Sequence, residues 1–141
     1  MNITTRNSAL IYTELLTDSQ RVAYTAKLFA LNFPFRLEPA IFDMAGRLSE
    51  TYRGGFWHFH ALSNGGFYMA PSEGQFRVRA ENGFDGVMTA DAFGLTVCLY
   101  CYSQLSFRGD AFSETCAEHF HLLRELAIQG PDWGLIGAAI D

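Results

Sequence analysis

Basic charge is scarce in this chain. Its 141 residues include ten Lys and Arg against fifteen Asp and Glu, a formal net charge of -5, and the one lysine is Lys27. A domain built to grip nucleic acid carries a clustered basic face. No run of Lys or Arg exists here, and Arg77 and Arg79 alternate as residues on a solvated strand face do. Imitation of DNA is excluded as well. A mimic must match a duplex carrying one charge per about 1.7 Å of axis, and these carboxylates are scattered singly along the sequence.

Long apolar runs are also missing. The most apolar segment, Ala92 to Tyr102, is far shorter than the roughly 18 residues that a spanning helix needs. Met1 to Leu10 has no charged start followed by an apolar block, so no signal peptide is expected, and a cytoplasmic location follows. The three cysteines, Cys98, Cys101 and Cys116, are odd in number and sit among apolar neighbours. They read as buried, reduced thiols. Cys98-x-x-Cys101 falls inside an apolar helix, away from the helix N-terminus that lowers a thiol pKa.

Catalytic and cofactor signatures are absent too. There is no Gly-x-Ser-x-Gly elbow and no Gly-Lys-Ser/Thr phosphate loop. His/Cys spacing of the zinc-finger kind is missing. Cys116 and His119 share a helix face and His58 and His60 a strand face, while His119 and His121 do not face each other. The expectation is no catalytic residue, no cofactor and no metal.

What the chain has in abundance is apolar and aromatic mass: 49% hydrophobic residues and 13 phenylalanines, enough for a ring-rich core. Thr17 and Gln20 have capping-box spacing, which starts a helix whose stripe is Val22, Ala26, Phe29 and Phe33, ended by Pro34. A second helix is predicted from Glu38 to Tyr52, with Pro39 at its first position and Gly54-Gly55 as its stop. Short strands follow: Phe56 to Ala61, Phe67 to Ala70, Phe76 to Ala80, and Gly86 to Thr89. Asn64-Gly65 and Asn82-Gly83 mark turns between them. Thr89 caps a third helix with Asp91 in its first turn. That helix is apolar nearly all round, hence central. A fourth runs from Phe112 to Gln129 with Cys116, Phe120, Leu123 and Ala127 inward, and an apolar tail from Trp133 to Ile140 docks on the core. This predicts one α+β domain over residues 1–141: a small antiparallel sheet of three to four strands in a meander, with four to five helices.

The most unusual stretch is the aromatic hairpin from Tyr52 to Pro71. Strand alternation puts Trp57 and Phe59 on one face and Phe56, His58 and His60 on the other. This is either a packed sheet with two half-exposed histidines or a recognition surface. In the second case Arg53, His58, His60, Asn64 and Tyr68 are the candidate contacts. Asp141, with its side-chain carboxylate at the end of the chain, is a second candidate. Two further readings stay open. One is a small hydrolase using the His58/His60 face, with Asp43 or Glu50 brought alongside. The other is a direct DNA-binding module, which the charge disfavours.

The run Gly54-Gly55-Phe56-Trp57-His58-Phe59 and the run Leu62-Ser63-Asn64-Gly65-Gly66-Phe67-Tyr68-Met69-Ala70-Pro71 together resemble the signature of the ArdB/KlcA antirestriction proteins. The similarity continues in Glu81-Asn82-Gly83-Phe84, Ala90-Asp91-Ala92, His121-Leu122-Leu123-Arg124 and Ala139-Ile140-Asp141. The resemblance implies a compact α+β fold and carriage on plasmids, genomic islands and other mobile elements. It also implies evasion of host defence, by relief of type I restriction with modification left largely intact. The expected partner is the type I restriction-modification complex, met directly or indirectly. No strong nucleic-acid or membrane binding is expected, and the state is monomer or weak dimer. The family supplies no catalytic residues to carry over.

Overall fold

A computed structural model describes residues 10–141; the stretch read above for a leader lies almost wholly outside them. The order of elements is β1 (Thr13–Leu15), α1 (Asp18–Phe29), a π-helical turn (Phe33–Leu37) that runs into α2 (Glu38–Leu48), β2 (Trp57–Leu62), β3 (Phe67–Pro71), β4 (Gln75–Arg79), β5 (Asp85–Thr89), α3 (Ala90–Leu105), α4 (Ala111–Gln129) and α5 (Trp133–Ile140). The class is α+β, as expected. The strands form two antiparallel sheets, β1-β2-β3 and β4-β5, instead of one meander.

The division has a tertiary cause. The edge of β3 that would receive β4 is occupied by α3. Cys98 Sγ lies 3.5 Å from both the amide nitrogen and the carbonyl oxygen of Met69. Tyr102 Oη donates to the Phe67 carbonyl at 2.8 Å. A helix thus satisfies the strand's outward polar groups, which must find partners when buried. Gly94 permits the approach, since a Cβ there would sit 2.3 Å from the Ala70 Cβ. The chain then turns at Gly74, φ 107°, and starts a separate hairpin whose Phe76 and Val78 face inward while Arg77 and Arg79 face out.

Helix α3 is the centre of the molecule. Thr89 caps it by accepting from the Ala92 amide at 3.2 Å, and Ala92 through Leu99 are all buried. Burial pushes the thiols of Cys98 and Cys116 up to about 12 and that of Cys101 well above its ordinary value, so all three stay protonated and unbridged. Asp110 caps α4 through the Ser113 amide and hydroxyl. Ile136 and Ala139 seat α5 on the core.

Several expectations need correcting. The predicted capping box is present at Thr17 and Gln20, but α1 stops at Phe29. The chain reverses at Ala30, φ 52°, the single non-glycine residue with positive φ among those described. Phe29 and Phe33 still meet, ring centroids 6.2 Å apart, from two segments instead of one helix. Thr25 and Phe29 are the buried residues of α1, while Val22 is 72% exposed. Helix α2 ends at Leu48 because Ser49 turns extended. Tyr52 is therefore off the helix, and its hydroxyl accepts from Trp57 Nε1. On α4 the buried ring is His119, and Phe120, on the inward stripe that the sequence predicts, is half-buried. In the β2-β3 turn only Gly65 has positive φ, and Asn64 does not. Strand β1 has no sequence signal of its own and pairs Leu15 with His60.

Candidate functional site

The alternation predicted for β2 holds. Trp57 and Phe59 are buried and His58 and His60 are half-buried on the opposite face. Register places His60 across from Tyr68 and His58 across from Ala70. The His60 imidazole lies flat on the Tyr68 ring, centroids 4.6 Å apart and planes 18° from parallel. His58 stands edge-on to His60 at 6.3 Å, and Phe56 edge-on to His58 at 5.6 Å. The result is a ledge of rings along one sheet face. At its inner end Tyr68 Oη donates to Asp91 Oδ1 at 2.5 Å. A cleft of about 280 Å³ opens there, walled by Thr13, His60, Tyr68, Asp91 and the α4–α5 junction at Pro131 and Asp132.

The electrostatics follow from burial. Burial raises the Tyr68 pKa, and the adjacent Asp91 raises it further, so the phenol remains a donor. Burial lowers the His60 pKa; Asp91 opposes this and His58 adds to it. A neutral imidazole on a protonated phenol, beside one exposed carboxylate, can stack a planar group and accept from a cationic one. Among the described residues neither His58 nor His60 hydrogen-bonds a carboxylate or hydroxyl. The carboxylates beside His60 are Asp91 and Asp132. Asp43 pairs with Arg47 at 3.7 Å, and Glu50 lines another cleft with Arg47, Arg77 and Arg79. No group of three His, Cys, Asp or Glu side chains converges as a metal site among the described residues.

The structure brings together three of the six candidate contacts, His58, His60 and Tyr68, but only the histidines reach the surface: Tyr68 is buried beneath His60, its hydroxyl taken up by Asp91. Arg53 lies on the loop before β2, its guanidinium donating to the carbonyls of Glu50 and Tyr52. Asn64 ties the hairpin tip to α4, donating to the Leu122 carbonyl and to Glu125 Oε1, both at 3.0 Å, and accepting from the Gly66 amide. At Asp141 the backbone carbonyl accepts from Asn82 Nδ2 at 2.9 Å.

The same hairpin opens the region matched by the model of the antirestriction protein family, residues 50–141. A solved structure of the KlcA and ArdB proteins superimposes with a TM-score of 0.85 at 32% identity, over 93% of this chain and 95% of that one. The chain belongs to the ArdB/KlcA antirestriction family. An antirestriction protein KlcA of Escherichia coli is 41% identical over 110 residues, 75% of each chain. A protein of Escherichia coli K12 called YafX, itself uncharacterized, is 38% identical over 129 residues, 88% of this chain and 84% of its own. The KlcA and ArdB proteins of the solved structure are described as active against type I DNA restriction systems in vivo but not in vitro. In this member of the family, the sequence pattern did not mark Asp91 and Thr13 as parts of the cleft. Asp91 had a sufficient local role in the first turn of α3, and Thr13 had no strand pattern around it.

Proposed function

We propose that this chain relieves restriction by type I restriction-modification enzymes through contact with a protein partner, without DNA mimicry and without catalysis. The contact is made by the half-buried rings of His58 and His60 with the Asp91 carboxylate at their end, and the buried Tyr68 ring backs them from beneath. The observation that carries this reading is the ledge itself: His58, His60 and Asp91 converge on one partly open sheet face over the buried Tyr68 ring, in a chain whose sequence has no run of Lys or Arg. Aromatic anchors flanked by polar groups are what protein interfaces are built on. The arrangement supports recognition over hydrolysis, because no described carboxylate orients either imidazole as a general base requires. The behaviour of the solved relatives, active in vivo but not in vitro, fits the same reading: a chemical step performed by the protein alone would survive purification, and a contact with a cellular partner need not. Of the remaining candidates, Asp141 and Arg53 lie outside the ledge and Asn64 serves the hairpin, so none of them is assigned to the contact.

The experiment is the plating efficiency of unmodified phage on cells with a type I enzyme, and on matched cells without it. The chain is expected to raise plating only where the enzyme is present. The double variant His58→Ala/His60→Ala is expected to lose that rescue while remaining folded. The rings are half-buried, and an aromatic pair is worth about 0.5–1.5 kcal/mol beyond its area. Full rescue by the folded double variant overturns the site.

A further inference from the structure

A large groove lies on the other side of β2 from the histidines. Its volume is about 700 Å³, and it runs between α1 and the π-helical turn, with Phe33 and Phe59 as its floor and Val22, Ala26, Leu31 and Pro34 as its walls. Two wall residues are strongly exposed, Val22 at 72% and Leu31 at 69%. Val22 belongs to the stripe that the sequence predicts as core. The groove's charges are placed unevenly. Arg21 is already engaged: its guanidinium donates to the Trp57 carbonyl at 2.9 Å and lies over the rings of Phe59 and Phe56, 4.3 and 4.6 Å from their centroids. Asp18 and Glu38 line the same groove. Glu38 is half-buried, and no hydrogen bond or ion pair is made by its carboxylate among the described residues. Burial raises its pKa, and Arg21 only partly offsets this.

We infer that this groove is a second docking surface, and that it takes an amphipathic helix presenting apolar side chains beside a lysine or arginine. The apolar floor and walls match the apolar stripe of such a helix laid between two helical segments. The unpaired Glu38 carboxylate supplies the partner that a basic side chain on that helix needs, and the rim carries one more negative than positive charge. A second copy of this chain is a poor occupant: it carries a net charge of -5 and a single lysine, and like charge opposes that contact. Phe59 faces the groove and His60 the ledge, so adjacent residues of one strand serve opposite surfaces. The inference stands apart from the proposed ledge contact and shares no residue with it.

The test is calorimetric titration of the full chain with two synthetic helical peptides, one of leucine and lysine at amphipathic spacing and one with glutamate in place of lysine. A third peptide has the leucines and lysines shuffled out of register. The lysine peptide is expected to bind saturably and the other two not. Glu38→Gln is expected to weaken that binding roughly tenfold, the loss of one charge-assisted contact. Val22→Ser/Leu31→Ser, at exposed positions that leave the core intact by circular dichroism, removes apolar wall without changing charge and is expected to abolish it. Equal binding of the glutamate or shuffled peptide, binding unaffected by the Ser pair, or no binding of the lysine peptide overturns the inference. None of these outcomes bears on the phage assay of the His58/His60 variant.

Discussion

Tyr68 and Asp91 join the hairpin sheet to the first turn of α3 by a single hydrogen bond, 2.5 Å from phenol to carboxylate. Tyr68 is 3% exposed while Asp91 faces solvent. Removing the hydroxyl therefore leaves no buried orphan, because water reaches the carboxylate. Tyr68→Phe is expected to lose about 1–2 kcal/mol, the range for a charge-assisted bond whose acceptor can be rehydrated. The ring stays stacked on His60. Urea unfolding near neutral pH measures the loss, and an unchanged midpoint would show that the bond adds nothing to the fold.

Gly94 is the second point where α3 is locked to the sheet. A Cβ there would lie 2.3 Å from the Ala70 Cβ and 2.6 Å from the Met69 carbonyl oxygen. In an exposed helix, alanine in place of glycine stabilises by about 1 kcal/mol. Here the sign reverses. Gly94→Ala is expected to destabilise by roughly 1–3 kcal/mol as the helix is forced off β3. The Cys98 and Tyr102 contacts to Met69 and Phe67 would loosen with it, which amide hydrogen exchange at Met69 would report as faster opening. Equal or greater stability would mean that α3 shifts freely on the strand.

These two relationships show where local sequence pattern stops. The caps at Thr17 and Thr89, the alternation of β2 and β4, and the all-apolar α3 are each written within one stretch of chain, and each is found in place. The division into two sheets depends on α3 reaching the edge of β3, a contact between residues 29 apart for Cys98 and Met69. No periodicity encodes it. The ledge was half legible: strand alternation puts His58 and His60 on one face, but Asp91 joins them only through the position of α3. The groove was hidden for the opposite reason, because Val22 and Ala26 look like core until the chain is seen to reverse at Ala30.

That reversal is itself testable. Ala30 holds φ 52° and ψ -137°, a conformation that glycine adopts freely and a Cβ opposes. Ala30→Gly is expected to stabilise by about 1 kcal/mol, the relieved strain exceeding the added flexibility of the unfolded chain. Thermal unfolding reads the gain. A loss of stability would show that the alanine methyl contributes more to the groove wall than its backbone strain costs.

His119 makes stability depend on pH. Its ring is 3% exposed and lies among Phe29 and Tyr102, centroids 4.8 and 5.7 Å away, and its Nδ1 is buried without a hydrogen-bond partner. Burial lowers its pKa, with Glu118 opposing, so the folded chain holds the neutral ring and the unfolded chain takes up the proton first. His60 is shifted in the same direction. Stability is thus full above the ordinary histidine value of about 6.5. It falls as the pH drops below that value, and levels off only when the folded chain also binds the proton. His119→Phe replaces the unpaired polar ring with an apolar one of similar shape. It is expected to change stability little near pH 7 and to reduce the loss between about pH 7 and pH 5, leaving the share due to His60. Urea midpoints across that range for the two chains decide it: parallel curves would mean that His119 is not the group that titrates.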